Sequence, residues 1–498
     1  MELDEDACYR ALLARDPRFD GRLFTGVKTT GIYCRPICPA RTPLRRNVRF
    51  FPTAAAAQEA GFRPCLRCRP ESSPDLGAWR GASNTVSRGL ALIEDGALDG
   101  EADVERLAAR LGVGGRQLRR LFRQHLGASP VAVAQTRRVL LAKQLLHQTR
   151  LPMTQVALAS GFSSLRRFNE TFQTLYRRSP SALRRDGLEI AAAPGAWIRV
   201  SLPYAAPYDW PALIDFLAVR AIDGVEKVTP GRYLRVIELN QAIGLLAVTP
   251  AEGSRLDVAI NFPSLRALPA ILARVRRIFD LAADPAAIAA DLGRDPDLAP
   301  RLALRPGLRT PGAWDVFEVA VRGVVGQQIS VTAAIRLASK IAADFGPRLP
   351  ADLEAHAEGL THAFPSAGTL ARADLSGLPM PRARSRAIEA LAMAAASDPT
   401  VLAPGPDLES TVERLCTLPG IGPWTAHYIA LRGLRDPDAF MAGDVGLQRA
   451  LVTADGVRPS AAELSRRAEA WRPWRGYAAL HLWTTPVIEG GERERHAA

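Results

Sequence analysis

Two long parts of the chain place apolar residues at helical spacing, and a third alternates them as strands do. Between residues 84 and 185 two units stand out. In the first, Asp103 to Pro130, Val104, Leu107, Ala108 and Leu111 precede a Gly-containing turn, after which Leu118, Leu121, Phe122 and Leu126 recur along a second helix. In the second, Met153 to Pro180, Val156 and Ala157 precede a turn around Gly161, followed by Leu165, Phe168, Phe172 and Leu175. Both predict helix-turn-helix units. Their second helices expose Arg116, Arg119, Arg120 and Arg123, and Arg166 and Arg167, for phosphate or base-edge contact. Residues 197 to 305 read differently: Trp197–Leu202, Tyr233–Leu239, Gly244–Val248 and Leu256–Asn261 are strand-like, while Pro211–Arg220 and Ala267–Asp280 are helical. That mixture predicts an antiparallel sheet with helices. From Pro306 the pattern is helical to the end, and the aperiodic stretches at 70–82 and 186–196 read as linkers.

A chain of 498 residues is too long for one core, so these parts are expected to be separate domains. Residues are 47% hydrophobic, no run of eighteen is apolar, and the N-terminus MELDEDACYR is acidic. Neither a membrane span nor a secretory signal is indicated, and a cytoplasmic location is expected. The net charge of +13 is concentrated: between Arg116 and Arg185 stand fourteen Arg or Lys against one acid, Glu170. Such an island reads as a nucleic-acid footprint, with a solvated face of Arg-rich helices as the alternative.

Four of the six cysteines fall within the first 75 residues: Cys34 and Cys38 in YCRPICPAR, Cys65 and Cys68 in FRPCLRCRP. A C-x3-C pair and a C-x2-C pair twenty-six residues apart suit one tetrahedral zinc better than two disulfides. So short a segment has little core, so bound metal is expected to contribute to its folding. Cys8 lies outside the pattern. Eight Arg and one acid, Glu59, between Arg35 and Arg69 would balance the negative charge of a zinc tetrathiolate beside DNA. A zinc-bound sulfur is also a good nucleophile toward a soft methyl electrophile, although closed four-cysteine sites are mostly structural, so the spacing by itself favours a purely structural finger.

A second constellation lies between Arg414 and Arg449. Pro419-Gly420-Ile421-Gly422 separates an amphipathic run, Thr411–Leu418, from a helix-forming run, Pro423–Leu431. The two glycines permit a tight left-handed hairpin whose following amides point outward as anion donors. Asp444 follows twenty-two residues after Gly422, where a carboxylate can stabilise positive charge developing on a sugar. An ordinary helix-helix turn and a helix N-cap are the plainer reading.

LPGIG-x-WTA-x-Y with an Asp twenty residues after the Trp resembles the helix-hairpin-helix glycosylase superfamily, and is similar to 3-methyladenine DNA glycosylase II. PYDW (207–210), FLAVRAIDGVE (216–226) and FDL (279–281) resemble that family's N-terminal domain. The resemblance implies Asp444 as the catalytic carboxylate and Trp424, Tyr428 and Trp483 as walls of a base pocket. It places Gln327 and Gln328 of GQQIS at the wedge that fills the gap left by an extruded base, with capping of the next helix as the alternative role. It puts Gly420 and Gly422 on the DNA backbone, and lets carbonyls of Cys416, Leu418 and Gly420 hold a monovalent cation. No lysine follows Lys340, which implies hydrolysis without a Schiff-base lyase step.

The cysteine text resembles the N-terminal domain of the Ada methylation-response proteins. By that likeness Cys34 takes a methyl group from a DNA methylphosphotriester, while Cys34, Cys38, Cys65 and Cys68 all ligate zinc. GFSS-x-x-RF and RSPSALRR resemble the AraC-type DNA-binding domain. The expected architecture is multidomain α+β: a zinc domain at 1–75, a helix-turn-helix domain at 83–185, a sheet-plus-helix domain at 197–305 and an all-helical glycosylase domain at 306–495. The expected partners are double-stranded DNA, at alkylated sites and at promoters, and RNA polymerase. The competing expectation is a methyl-sensing regulator whose glycosylase-like region binds DNA without catalysis.

Overall fold

The computed structural model describes residues 4–75, 84–99, 103–184, 197–452 and 455–484. The expected linker at 186–196 lies outside them, as do residues 76–82 of the other. The chain divides into two compact units, the first comprising residues 1–205, 251–276 and 281–284, the second 206–250, 277–280 and 285–498.

In the first unit four short strands form a sheet in the order Val48–Phe51, Phe24–Val27, Ile32–Cys34, Arg63–Pro64. Only the last pairing is parallel, and its register sets Tyr33 opposite Pro64. That crossover brings Cys34, at the end of its strand, beside Cys65, whose amide donates to the Tyr33 carbonyl at 3.0 Å. Phe24, Tyr33, Phe51 and Ala55–Ala57 bury themselves together with Leu90, Leu107, Leu118 and Phe122 in one core. The cysteine segment, expected to have little core, thus shares that of the helices after it.

Both helix-turn-helix units are present, as Val104–Arg110 with Gly115–Leu126 and as Met153–Ala159 with Leu165–Tyr176, joined by the helix Pro130–Gln148. Gly112 and Gly161 turn the chain at φ 72° and 84°. The buried face of the second unit is Phe168, Phe172 and Tyr176, four apart, with ring centroids 4.8 and 5.4 Å apart. Leu165, expected inside, is exposed as the first residue of its helix, and Tyr176 rather than Leu175 completes the buried face. The strand Ile198–Pro203 pairs antiparallel with Arg255–Asn261 in the same unit.

Residues 70–75 are not linker. Glu71 is buried and accepts from Lys143 Nζ at 2.9 Å and from Arg69 Nε at 3.1 Å. Lys143 is fully buried, also donates to the Cys65 carbonyl at 3.3 Å, and lies 5.7 Å from the Tyr176 ring centroid.

In the second unit, Glu226–Thr229, Arg232–Leu239 and Ala242–Ala251 form an antiparallel meander. The first of these strands, polar and four residues long, carries no alternation that the sequence could reveal. Arg235 and Arg322 interlock with Glu226 and Glu318, with Arg235 Nη1 at 2.8 Å from Glu226 and Arg322 Nη2 at 2.6 Å from each carboxylate. This buried network ties the meander to the helix Val316–Val325. A helical core of Val319, Val324, Ile341, Ile388, Leu415 and Ile429 then carries the hairpin helices Leu408–Cys416 and Pro423–Arg432.

Candidate functional sites

The hairpin turn is asymmetric. Gly420 has φ 78°, and an added Cβ would lie 2.5 Å from that of Ala387, so shape and conformation both demand glycine there. Gly422, expected to share the left-handed geometry, is extended at φ −92° and caps the second helix; nothing lies within 4 Å of where its Cβ would be. Its role is open space beside the helix start. Among the described residues the amides of Gly420, Gly422, Trp424 and Thr425 have no protein acceptor. The Gly420 carbonyl accepts from Gln327 Nε2 at 2.8 Å, and Gln327 also reaches Thr425 Oγ1 at 3.1 Å, so Gln327 braces the turn. Gln328 is exposed with φ 57° on the loop after Val316–Val325. Neither glutamine caps the following helix, Val331–Phe345, because Ser330 does.

Asp444 faces the aromatic residues. Its Oδ2 accepts from Trp424 Nε1 and its Oδ1 from Trp483 Nε1, both at 3.0 Å, while Oδ1 also caps the helix Val445–Ala450 through the Leu447 amide at 3.0 Å. The N-cap and the aromatic-facing carboxylate are therefore one residue. No arginine or lysine pairs with it among the described residues. Trp424 stacks on Tyr428 with centroids 5.3 Å apart and planes 11° from parallel, as expected one helical turn away. Trp483 is held through its helix, Arg475–Thr484, where the Tyr477 hydroxyl donates to Asp280 at 2.7 Å. Phe216 and Arg432, given no role at the site by the sequence, also belong here: the Arg432 guanidinium lies 4.8 Å from the Phe216 centroid and donates to the Tyr428 hydroxyl at 2.7 Å. Phe216 opens the FLAVRAIDGVE text that carries the family likeness, whereas Arg432 is one arginine at the end of a helix-forming run.

The four cysteines converge: the sulfurs of Cys34, Cys38, Cys65 and Cys68 all lie within 4.8 Å of one another, and none is in a disulfide. Tetrahedral zinc, with its sulfurs about 2.3 Å from the metal, fits four thiols so gathered. The Arg35 amide donates to Cys68 Sγ at 3.3 Å and the Arg67 amide to Cys65 Sγ at 3.4 Å. Cys34 is the half-buried one of the four. Cys8 packs in a separate cluster with Leu12 and Leu23.

The arginines around the cysteines are not all free to balance thiolates. Arg35 pairs with Asp20, Arg45 with Glu5 and Arg69 with Glu71, acids that lie outside the arginine-rich stretch in sequence. The same holds for the island at 116–185. Arg119 pairs with Glu105, Arg137 with Asp75 and Glu94, and Arg138 with Asp99, while Arg166 pairs with Glu170. Arg116, Arg120 and Arg167 remain exposed on the second helices without a carboxylate partner among the described residues.

Family models match three parts of the chain: the metal binding domain of Ada at residues 7–71, a helix-turn-helix domain at 107–186 and the AlkA N-terminal domain at 199–315. A Mycobacterium tuberculosis protein described as a probable bifunctional transcriptional activator/DNA repair enzyme AlkA is 43% identical over 503 residues, covering 100% of both chains. The chain belongs to that family of bifunctional transcriptional activator/DNA repair enzymes. Escherichia coli DNA-3-methyladenine glycosylase 2 is 37% identical over 290 residues, covering 57% of this chain and 96% of its own. The solved 3-methyladenine DNA-glycosylase of Archaeoglobus fulgidus shares the fold, with a TM-score of 0.50 at 23% identity over 57% of this chain and 96% of that one. Multidomain α+β architecture, a zinc-binding module and a helix-turn-helix region accordingly hold as expected. No described helix is long and apolar enough to cross a membrane.

Proposed function

We propose that the chain excises alkylated bases such as 3-methyladenine by hydrolysis, and that Cys34 accepts methyl groups from DNA phosphotriesters to switch on transcription of the alkylation response. The observation that carries the first half is the Asp444 carboxylate, clasped by two indoles and paired with no cation among the described residues, beside a hairpin with open amides. A base within a duplex must be flipped out, at a cost of a few kcal/mol that damage lowers. Gly420 and Gly422 hold the phosphate backbone, and exposed Gln328 fills the vacated stack beside Gln327. The base lies against Trp424, Tyr428 and Trp483. As the C1′–N bond breaks, its electron pair leaves with the base and the sugar becomes cationic beside Asp444, which then orients the attacking water.

At the other site Cys34 is the most exposed of its cluster, and among the described residues no amide reaches its sulfur, which leaves it richest in electrons. Zinc, when bound, keeps the four sulfurs as thiolates. The Cys34 sulfur bonds to the methyl carbon as the methyl–oxygen bond breaks, and that electron pair restores the phosphodiester anion. Loss of thiolate charge strengthens the grip on DNA, which Arg116, Arg119, Arg120, Arg166 and Arg167 extend to promoter sequence. Domains at 1–75, 83–185, 197–305 and 306–495 divide this work in a cytoplasmic protein that also engages RNA polymerase. The Leu418 and Gly420 carbonyls each accept one hydrogen bond, which leaves each a lone pair for a monovalent cation at the hairpin, with Cys416 as third donor.

One experiment tests both halves: incubate the zinc-loaded chain with methylated duplex, and read released bases and protein mass together. Free 3-methyladenine and one methyl on Cys34 are expected. A methyl on none of the four cysteines refutes the sensor, and no released base reduces the glycosylase region to DNA binding.

A further inference from the structure

Arg432 closes the helix Pro423–Arg432 directly behind the aromatic side of the site and is only 7% exposed. Its Nε donates to the Pro311 carbonyl at 3.1 Å, its Nη2 to the Gly312 carbonyl at 3.0 Å and its Nη1 to the Tyr428 hydroxyl at 2.7 Å. Its guanidinium lies 4.8 Å from the Phe216 centroid and 5.5 Å from that of Tyr428. All of these partners are neutral. Among the described residues no carboxylate pairs with it, whereas nearby Arg235 and Arg322 are matched by Glu226 and Glu318. A buried cation without a counter-ion is costly to fold around. Its field reaches the stacked rings. Burial raises the Tyr428 phenol pKa, yet Arg432, then Arg220 and Arg322, outweigh burial and hold it below the ordinary value.

We propose that Arg432 is a fixed positive charge placed behind the aromatic wall to favour departure of the excised base. This rests on the glycosylase reading of Asp444. When the C1′–N bond breaks, its electron pair passes to the base nitrogen: a cationic alkylated base becomes neutral, and a neutral damaged base becomes an anion that then takes a proton from water. In both cases the base side gains one negative charge and the sugar side one positive charge. Water oxygen then bonds to C1′, and its proton leaves to Asp444 or solvent. Arg432 and Asp444 thus bracket the reaction with charges of the signs that this electron movement requires. Arg432 touches no reacting atom and acts through its field, held in place by Pro311, Gly312 and Tyr428.

The same charge opposes binding of a base that is still cationic, so rate and affinity should separate. Single-turnover base release is measured for wild type, Arg432→Gln and Arg432→Lys on duplexes carrying 7-methylguanine, which is cationic, or hypoxanthine, which is neutral. Duplex affinity is measured in each case on an Asp444→Asn background. Arg432→Gln should slow release of both bases roughly tenfold to a hundredfold, leave hypoxanthine affinity unchanged, and leave 7-methylguanine affinity unchanged or tighter. Arg432→Lys loses the guanidinium fork and buries an ammonium with no counter-ion to hold its proton, so its release should fall between wild type and the Gln variant and rise relative to wild type as pH falls. A Gln variant with wild-type rates, or one that weakens both affinities together with both rates, overturns the proposal. If the Gln variant does not fold, the Lys variant decides, and release in the folded Lys variant that does not rise relative to wild type as pH falls overturns it. Wild type that releases no base would instead overturn the glycosylase reading.

Discussion

Replacing Asp444 by Asn isolates its charge from its structural role. The N-cap survives, because the Asn oxygen can keep the Leu447 amide and the Trp483 indole that Oδ1 now accepts. The new NH2 group takes the place of Oδ2 and meets the Trp424 indole N–H, so two donors face each other where a hydrogen bond of 3.0 Å stood. One lost bond costs about 1 kcal/mol, a modest fall in unfolding midpoint. The chemical loss is larger. A unit negative charge about 4 Å from a cationic sugar contributes about 4 kcal/mol at an effective dielectric near 20, which is about a thousandfold in rate. The assay is single-turnover release of 3-methyladenine from methylated duplex, alongside duplex affinity and a urea titration. Release reduced about a thousandfold, with affinity retained, is expected. Release within tenfold of wild type would refute the role given to the carboxylate, and loss of binding in parallel would assign Asp444 to structure alone.

Two further outcomes follow from the buried charges. Glu71→Ala strands Lys143, whose side chain is 0% exposed, and should destabilise the zinc-loaded first unit by about 3–5 kcal/mol. The volume-matched pair Glu71→Leu with Lys143→Met should recover most of that; urea unfolding followed by far-UV circular dichroism checks both, and a single-mutant loss below about 1 kcal/mol contradicts the pairing. His481 is pushed down to about 4 by burial, with Arg301 and Arg305 adding to it. Its folded pKa lies below its unfolded value, so the unfolded chain binds the extra proton first. Stability should be complete above about pH 6.5 and decline by about 3 kcal/mol as pH falls toward 4. His427 is also pushed down to about 4 by burial, so His481→Gln should lessen that slope in tryptophan-monitored urea titrations without abolishing it, and identical slopes in the two proteins would rule out a contribution from His481.

The sequence alone determined whatever depends on spacing along one element or on a rigid local signature. Trp424 and Tyr428 stack because they are four apart on a helix, the helix-turn-helix units follow from apolar periodicity, and the C-x3-C and C-x2-C pairs converge as the spacing of a four-cysteine zinc site predicts. Periodicity fell short at the two ends of one helix, where Leu165, its first residue, is exposed although it lies on the buried face, and Tyr176 rather than Leu175 takes the buried place. Only the tertiary structure decided which charges are free. Arg35, Arg69, Arg137 and Lys143 find their acids at Asp20, Glu71, Asp75 and Glu94, so a count along the chain overstated the basic surface. It alone set Phe216 and Arg432 beside the hairpin aromatics, although Phe216 lies more than two hundred residues earlier in the chain. The physical reason is common to both cases. Helical and metal-ligand spacing act between near neighbours and leave a period in the text, whereas charge compensation and ring contacts act through space between segments whose order along the chain carries no record of the distance between them.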